Sequence, residues 1–385
     1  GAINATIGIA TINKKAMSLP SINKVLTELN NSEYLPYSPT PGLPEMRNLW
    51  KEKIISDNPK INKEHLSLPM VTTGITQGID IVANLFSSEG DALLLPSLFW
   101  QNYAQIYSIK LGNKVYTYNQ FNENNTYYLE NFKEVLYSIK ESKISLILNF
   151  PNNPTGYTPS TEELDELTII IDRFAKENPE KQVIIICDDA YFGLFFEENH
   201  KTPSLSSIYK LETNSNCLIV KLDGITKEYY GWGLRIGFIT YYTGNDNLRE
   251  HLLEKTQGYL RSTTSSPCNL SQQIAIRLLK DKDTYIEKKD NDKIIHERYI
   301  ILKKSLDDYK LSDSVTVLPF NSGYFFTIKM PSKINAHDFR LKFLHDYKYG
   351  VYSMDNEHIR IAFSCLDKEL IPDLVKNFKL CLNEF

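Results

Sequence analysis

The feature that most constrains the fold is a series of short apolar runs at residues 92–96, 146–150, 183–187, 217–222 and 236–241. Each is five or six residues long and lacks the polar–apolar alternation of a half-exposed strand. Such runs are strands buried on both faces, as in a parallel sheet covered by helices. Between them lie stretches with helical periodicity, for example 77–85 and 161–177. This alternation predicts a doubly wound α/β domain. The pattern changes near residue 271. One or two long helices over 271–306, short strands near 315–318 and 324–329, a helix over 336–347, strands near 351 and 359–363, and a last helix from 368 predict a smaller α+β domain. We expect three parts: residues 1–45 as an N-terminal segment joining the small domain, 46–275 as the large domain, and 276–385 as the small domain.

Composition narrows the function classes. The 43 basic and 47 acidic residues are mixed along the chain and leave a net charge of -4, so nucleic acid is not expected as a partner. The five cysteines are odd in number and lack CxxC spacing. That argues against a disulfide framework or a metal site and fits a reducing cytoplasm. No apolar run approaches the ~20 residues that span a bilayer. No signal-peptide pattern follows Gly1, and no membrane association is expected.

In open α/β sheets, ligands bind beyond the C-terminal ends of the strands. Four of the candidate motifs follow a predicted strand. Gly224-Ile-Thr-Lys227 and, eight residues on, Arg235 come after the run 217–222. A lysine at the end of a buried strand is desolvated, which lowers its pKa and frees its amine as a nucleophile. Arg235 lies between Gly233 and Gly237, and its planar fork suits a phosphate. Asp188 ends a fully apolar run and needs a cationic or donor partner; Asp189 competes for the role. Residues 149–156, Asn-Phe-Pro-Asn-Asn-Pro-Thr-Gly, form a turn. Residues 72–78, Thr-Thr-Gly-Ile-Thr-Gln-Gly, open a helix whose free N–H groups suit an anion. Phe99 and Trp100 follow the run 92–96 and suggest a stacking platform. Arg360 is a charge inside a C-terminal strand pattern.

Together these segments resemble the aspartate aminotransferase family of fold-type I pyridoxal phosphate enzymes, in the same order from about residue 7 to 365. The resemblance implies a large domain with a mostly parallel seven-stranded sheet flanked by helices. It implies that Lys227 carries pyridoxal 5'-phosphate as a Schiff base. Asp188 matches the aspartate that pairs with the pyridine nitrogen, within the family's Asp-x-Ala-Tyr spacing. Tyr191 and Asn153 match the donors to the cofactor's phenolic oxygen. Ile75, Thr76 and Arg235 match the phosphate contacts, and Trp100 the stacking ring, with Phe99 as its rival. Arg360 matches the arginine that grips the substrate carboxylate, and the segment Ile7 to Ala10 matches the wall of the substrate pocket. Tyr37, with Tyr34 as rival, matches a tyrosine reaching the phosphate of a neighbouring subunit, which implies a homodimer with shared sites. Arg261 resembles the arginine that binds a distal carboxylate in dicarboxylate-specific members.

Two departures stand out. Position 224 is Gly where many members have a Ser that touches the phosphate, and Tyr230-Gly231 replace the usual small-then-apolar pair. The implied reaction is amino transfer between an L-amino acid, dicarboxylic or aromatic, and a 2-oxo acid. A carbon–sulfur β-lyase or decarboxylase on the same scaffold is the main alternative. A non-enzymatic regulator is a third, although no basic extension supports it.

Overall fold

The computed structural model describes residues 1–201 and 204–385. Among these, the larger sheet has seven strands: β1 (Met70–Thr72), β2 (Ala92–Pro96), β3 (Lys114–Tyr118), β4 (Lys143–Asn149), β5 (Gln182–Asp188), β6 (Cys217–Gly224) and β7 (Gly237–Tyr242). Their order across the sheet is β1-β7-β6-β5-β4-β2-β3, and only β7 runs antiparallel. The five apolar runs are β2, β4, β5, β6 and β7. The two strands without such a run have plain reasons. Strand β1 is too short to carry a period, and β3 is an edge strand whose Lys-Val-Tyr-Thr-Tyr is partly exposed.

The helices that matter here are α1 (Pro44–Asp57), α2 (Ile75–Phe86), α3 (Thr161–Glu177), α4 (Ile225–Glu228), α5 (Asn269–Lys280), α6 (Lys282–Asp308), α7 (Ala336–Tyr347) and α8 (Leu370–Leu382). Helix α3 shows why sequence dictates them. Leu164, Leu167, Ile171 and Phe174 recur at helical spacing and are buried. At its start the Ser160 hydroxyl accepts from the Glu163 N–H at 3.2 Å, and the Glu163 carboxylate accepts from the Ser160 N–H at 2.7 Å. This reciprocal cap fixes the first turn. The stretch 271–306 resolves into two helices. They break at Asp281, whose extended backbone ends α5 and whose side chain accepts from the Asp283 N–H at 2.9 Å to start α6.

Apolar residues pack on both faces of the large sheet. A separate core joins the N-terminal residues Ala5, Ala10, Met17 and Leu19 to α6, α7, α8 and a four-stranded antiparallel sheet. That sheet has the order β8-β9-β11-β10, with β8 (Thr316–Val317), β9 (Phe325–Lys329), β10 (Tyr352–Ser353) and β11 (His358–Ala362). Buried Arg298 of α6 ties the N-terminal segment to the loop after β11, donating to Thr11 O at 2.6 Å and Ser364 O at 2.5 Å.

Gly156 is the contact between the turn after β4 and the small sheet. Its carbonyl accepts from the N–H groups of Asn321 and Ser322, both at 2.9 Å. Its φ is +75°, and a Cβ there would lie 1.9 Å from Phe325 O. Gly156→Ala is therefore expected to cost at least about 2 kcal/mol. Urea unfolding followed by circular dichroism checks this, and an unchanged midpoint would refute the tight-contact account.

Candidate active site

The C-terminal ends of β4, β5 and β6 converge on one cavity of about 340 Å³. Lys227 enters it from α4, the single turn that follows β6. Asp188 enters from the last position of β5, Asn153 from the turn after β4, and Tyr191 from three residues beyond Asp188. Ile75 and Thr76 reach it from the first turn of α2, Trp100 from the loop after β2, Arg235 from before β7, and Arg360 from β11. Seven separate sequence segments thus supply these residues to one hollow.

Asp188 is 1% exposed. Its Oδ2 accepts from the Tyr103 hydroxyl at 2.6 Å and its Oδ1 from the Ala190 N–H at 3.1 Å. Burial raises its carboxyl to about 6, against those bonds and the pull of Lys227. Burial lowers the Lys227 amine to about 8, with Arg235 acting in the same sense and Asp188 opposing. Lys227 Nζ lies 4.9 Å from the centre of the Tyr191 ring. Burial also raises the Tyr191 hydroxyl, and Arg360 pulls it back. Arg360 donates from Nη1 to Asn153 Oδ1 at 3.0 Å and from Nη2 to Thr6 O at 2.6 Å, while its buried Nε has no partner among the described residues. Its guanidinium lies 4.4 Å from the centre of the Phe325 ring.

The profile of the aminotransferase class I and II family matches residues 3–378. The chain belongs to this family. Class I and II aminotransferases are pyridoxal phosphate-dependent enzymes. A probable aspartate/prephenate aminotransferase of Rickettsia conorii is 27% identical over 255 residues, 65% of this chain; the chain spans 57% of that relative's length. An aspartate aminotransferase of Pyrococcus abyssi is 24% identical over 319 residues, 82% of this chain and 74% of the relative. An aminotransferase structure from Anaerococcus prevotii has the same fold, with a TM-score of 0.88 at 24% identity over 99% of this chain and 91% of that one. A Thermus thermophilus aspartate aminotransferase mutant aligns with a TM-score of 0.78 at 18% identity, covering 98% and 96%.

The residues present fit the family's cofactor. Arg235 adopts a left-handed conformation, φ +52°, that turns its guanidinium onto Gly74 at the mouth of α2. A Cβ on Gly74 would lie 2.5 Å from Arg235 Nη2. Together they make a cradle of cation and helix N-terminus for an anion. Opposite it, Asp188 offers a dry carboxylate to a cationic ring nitrogen.

The two departures have structural causes. Gly224 pairs with Gly237 across β6 and β7, and a Cβ on it would lie 2.5 Å from Ile236 O and 2.9 Å from Gly237 Cα. A serine cannot enter without parting the strands. Tyr230, also at positive φ, is buried and donates to Asp292 Oδ1 of α6 at 2.8 Å, so it links the loop of Lys227 to the small domain.

Some expected site residues lie elsewhere. Ala10 is buried in the small-domain core, and Thr6, Ile7 and Gly8 line the cavity instead. The segment bends after Gly8, which turns Ala10 inward. Arg261 lies in a surface hollow with Thr40, outside the cavity. Tyr37 is 94% exposed and also outside it. Its rival Tyr34 donates to Asn31 Oδ1 at 2.6 Å. Asp189 turns away from the cavity to pair with Lys221, and Phe99 is not in the wall. Tyr103, Thr6 and Phe325 were not singled out as site residues. A polar aromatic three residues after Trp100 is the one signal that pointed to Tyr103.

Keeping Asp188 ionised in the dry cavity costs stability. Its raised pKa means the folded state binds its proton more tightly than the unfolded one. This cost is absent below about pH 4 and grows as pH rises to about 6. Asp188→Asn should therefore make the cofactor-free protein more stable by about 2 kcal/mol at pH 7, with the gain vanishing near pH 4. Denaturant titrations at the two pH values check it; a gain independent of pH would contradict the assignment.

Proposed function

We propose that this chain is an aminotransferase that moves an amino group between an L-amino acid, dicarboxylic or aromatic, and a 2-oxo acid. The observation that carries the reading is the convergence of a lysine, a buried carboxylate and two arginines in one cavity. Lys227 would carry the pyridoxal phosphate. Arg235, Ile75 and Thr76 would take its phosphate, Asp188 its ring nitrogen, Asn153 and Tyr191 its phenolic oxygen, and Trp100 its ring face. When bound, the cofactor supplies an electron sink for negative charge at the substrate's α-carbon.

The chain's own residues do the rest. Arg360 already sits between Asn153 and Thr6 with a free Nε, and a guanidinium held this way binds the substrate carboxylate as a fork. This fixes the α-C–H bond relative to Lys227. An amine whose pKa is lowered to about 8 is a competent base near neutral pH, and Lys227 Nζ, freed when the substrate's own amine takes its place, would move the α-proton. Phe325, Ile7 and Gly8 line the side of the cavity next to Arg360.

The names of the relatives, aspartate and aspartate/prephenate aminotransferases, support the dicarboxylic substrate class. On this reading the working form is a homodimer. Tyr37 and Leu35, both largely exposed, would meet the partner, and Tyr37 and Arg261 would serve the partner's site. We take the division of the chain near residues 45 and 275 as that of its domains, and its compartment as the cytoplasm, where its five free cysteines would stay reduced. No helix among the described residues is long and apolar enough to cross a membrane.

The test pairs each L-amino acid, its amino nitrogen isotopically labelled, with a 2-oxo acid and follows the label by mass spectrometry. Transfer should be fastest from aspartate, glutamate or an aromatic amino acid. Release of ammonia or pyruvate with no transfer would overturn the proposal in favour of a lyase.

A further inference from the structure

Behind the cavity lies a second set of buried charges that the proposed reaction does not use. Trp50 and Lys53 are three residues apart on α1 and share one face. The Trp50 indole N–H donates to Asp223 Oδ1 at 2.7 Å, and its ring stacks on Phe238 at 4.2 Å. Lys53 Nζ lies 2.7 Å from Glu228 Oε1 and 2.6 Å from Asp57 Oδ2. Asp223 and Glu228 stand four residues before and one residue after Lys227, so α1 grips both ends of its turn. From the other side Lys221 pairs with Asp189 and, at 3.2 Å, with Asp223.

Besides these contacts, the turn is held by buried Ile225 and by the Tyr230 bond to Asp292. Helix α4 has four residues, too few to be stable alone, and Gly224 before it brings no side chain to cap it. Glu228 is 7% exposed, and burial raises its carboxyl against the pull of Lys53 and Lys288. Without Lys53, the carboxylate must take up a proton or swing toward water. Either change would disturb the single turn that also carries Lys227, its chain neighbour.

We propose that Trp50 and Lys53 are positioning residues for Lys227, fixing its turn from behind so that Nζ arrives in the cavity. This rests on the reading that Lys227 carries the cofactor. If they act through Lys227, their loss weakens cofactor binding only while Lys227 is present.

The test is a double-mutant cycle on the purified protein with pyridoxal phosphate as the probe. Lys53→Met, Lys53→Arg and Trp50→Phe are made with Lys227 intact and in a Lys227→Ala background. The dissociation constant and the visible band of the lysine-attached cofactor are measured. With Lys227 intact, Lys53→Met should weaken binding about tenfold, and Lys53→Arg should restore most of it. In the Lys227→Ala background the same change should alter binding by less than about twofold. Equal weakening in both backgrounds, or none in either, overturns the inference. Should Lys53→Met fail to fold, Trp50→Phe keeps the stacked ring, loses only the N–H bond to Asp223, and reads the same cycle. A Lys227→Ala protein that keeps the band would instead overturn the cofactor assignment itself.

Discussion

A lysine and an aspartate are held out of water at the ends of two adjacent parallel strands, and much of the structure follows from that. Desolvation moves both toward neutrality, the amine down to about 8 and the carboxyl up to about 6. Neither shift favours folding. Stability comes instead from the strands on which the two residues sit, buried on both faces and flanked by helices. Strands β5 and β6 hold that edge because both are buried along almost their whole length, with an apolar middle in β5 and one paired charge, Lys221, within β6. The edge is then held by Tyr103 and Ala190 on Asp188, and by α1 on the turn of Lys227.

The small domain completes the site rather than forming it. Arg360 crosses from β11 to Asn153 of the large domain and to the carbonyl of Thr6. The N-terminal segment is laced to the same region by Arg298, and Gly156 lets the two parts touch backbone to backbone. One side of the cavity is therefore built from the two ends of the chain, which would meet the substrate, and the other from its middle, which would hold the cofactor.

Much of this was legible in the sequence, for physical reasons. Strands buried on both faces leave continuous apolar runs, so β2, β4, β5, β6 and β7 announced themselves. The short β1 and the half-exposed edge strand β3 did not. Lys227, Asp188, Arg235 and Arg360 stood out because a charge at the end of, or inside, an apolar run needs a reason. Tyr103 and Phe325 look like ordinary core aromatics, and only the fold shows which way they face. Ala10 falls in the core and not in the cavity wall, beyond the bend at Ile7 and Gly8. Lys221 and Asp223 meet the same criterion, inside and just after the run 217–222, and were passed over, while Lys53 reads as an ordinary helix charge.

The central claim is that the family's cofactor is attached at Lys227. The most direct measurement is reduction of the cofactor-loaded protein with borohydride, followed by digestion and peptide mass mapping. The account predicts the mass of the reduced cofactor on the peptide containing Lys227 and on no other. The same mass on a peptide containing Lys221 or Lys53, or on none, would contradict it.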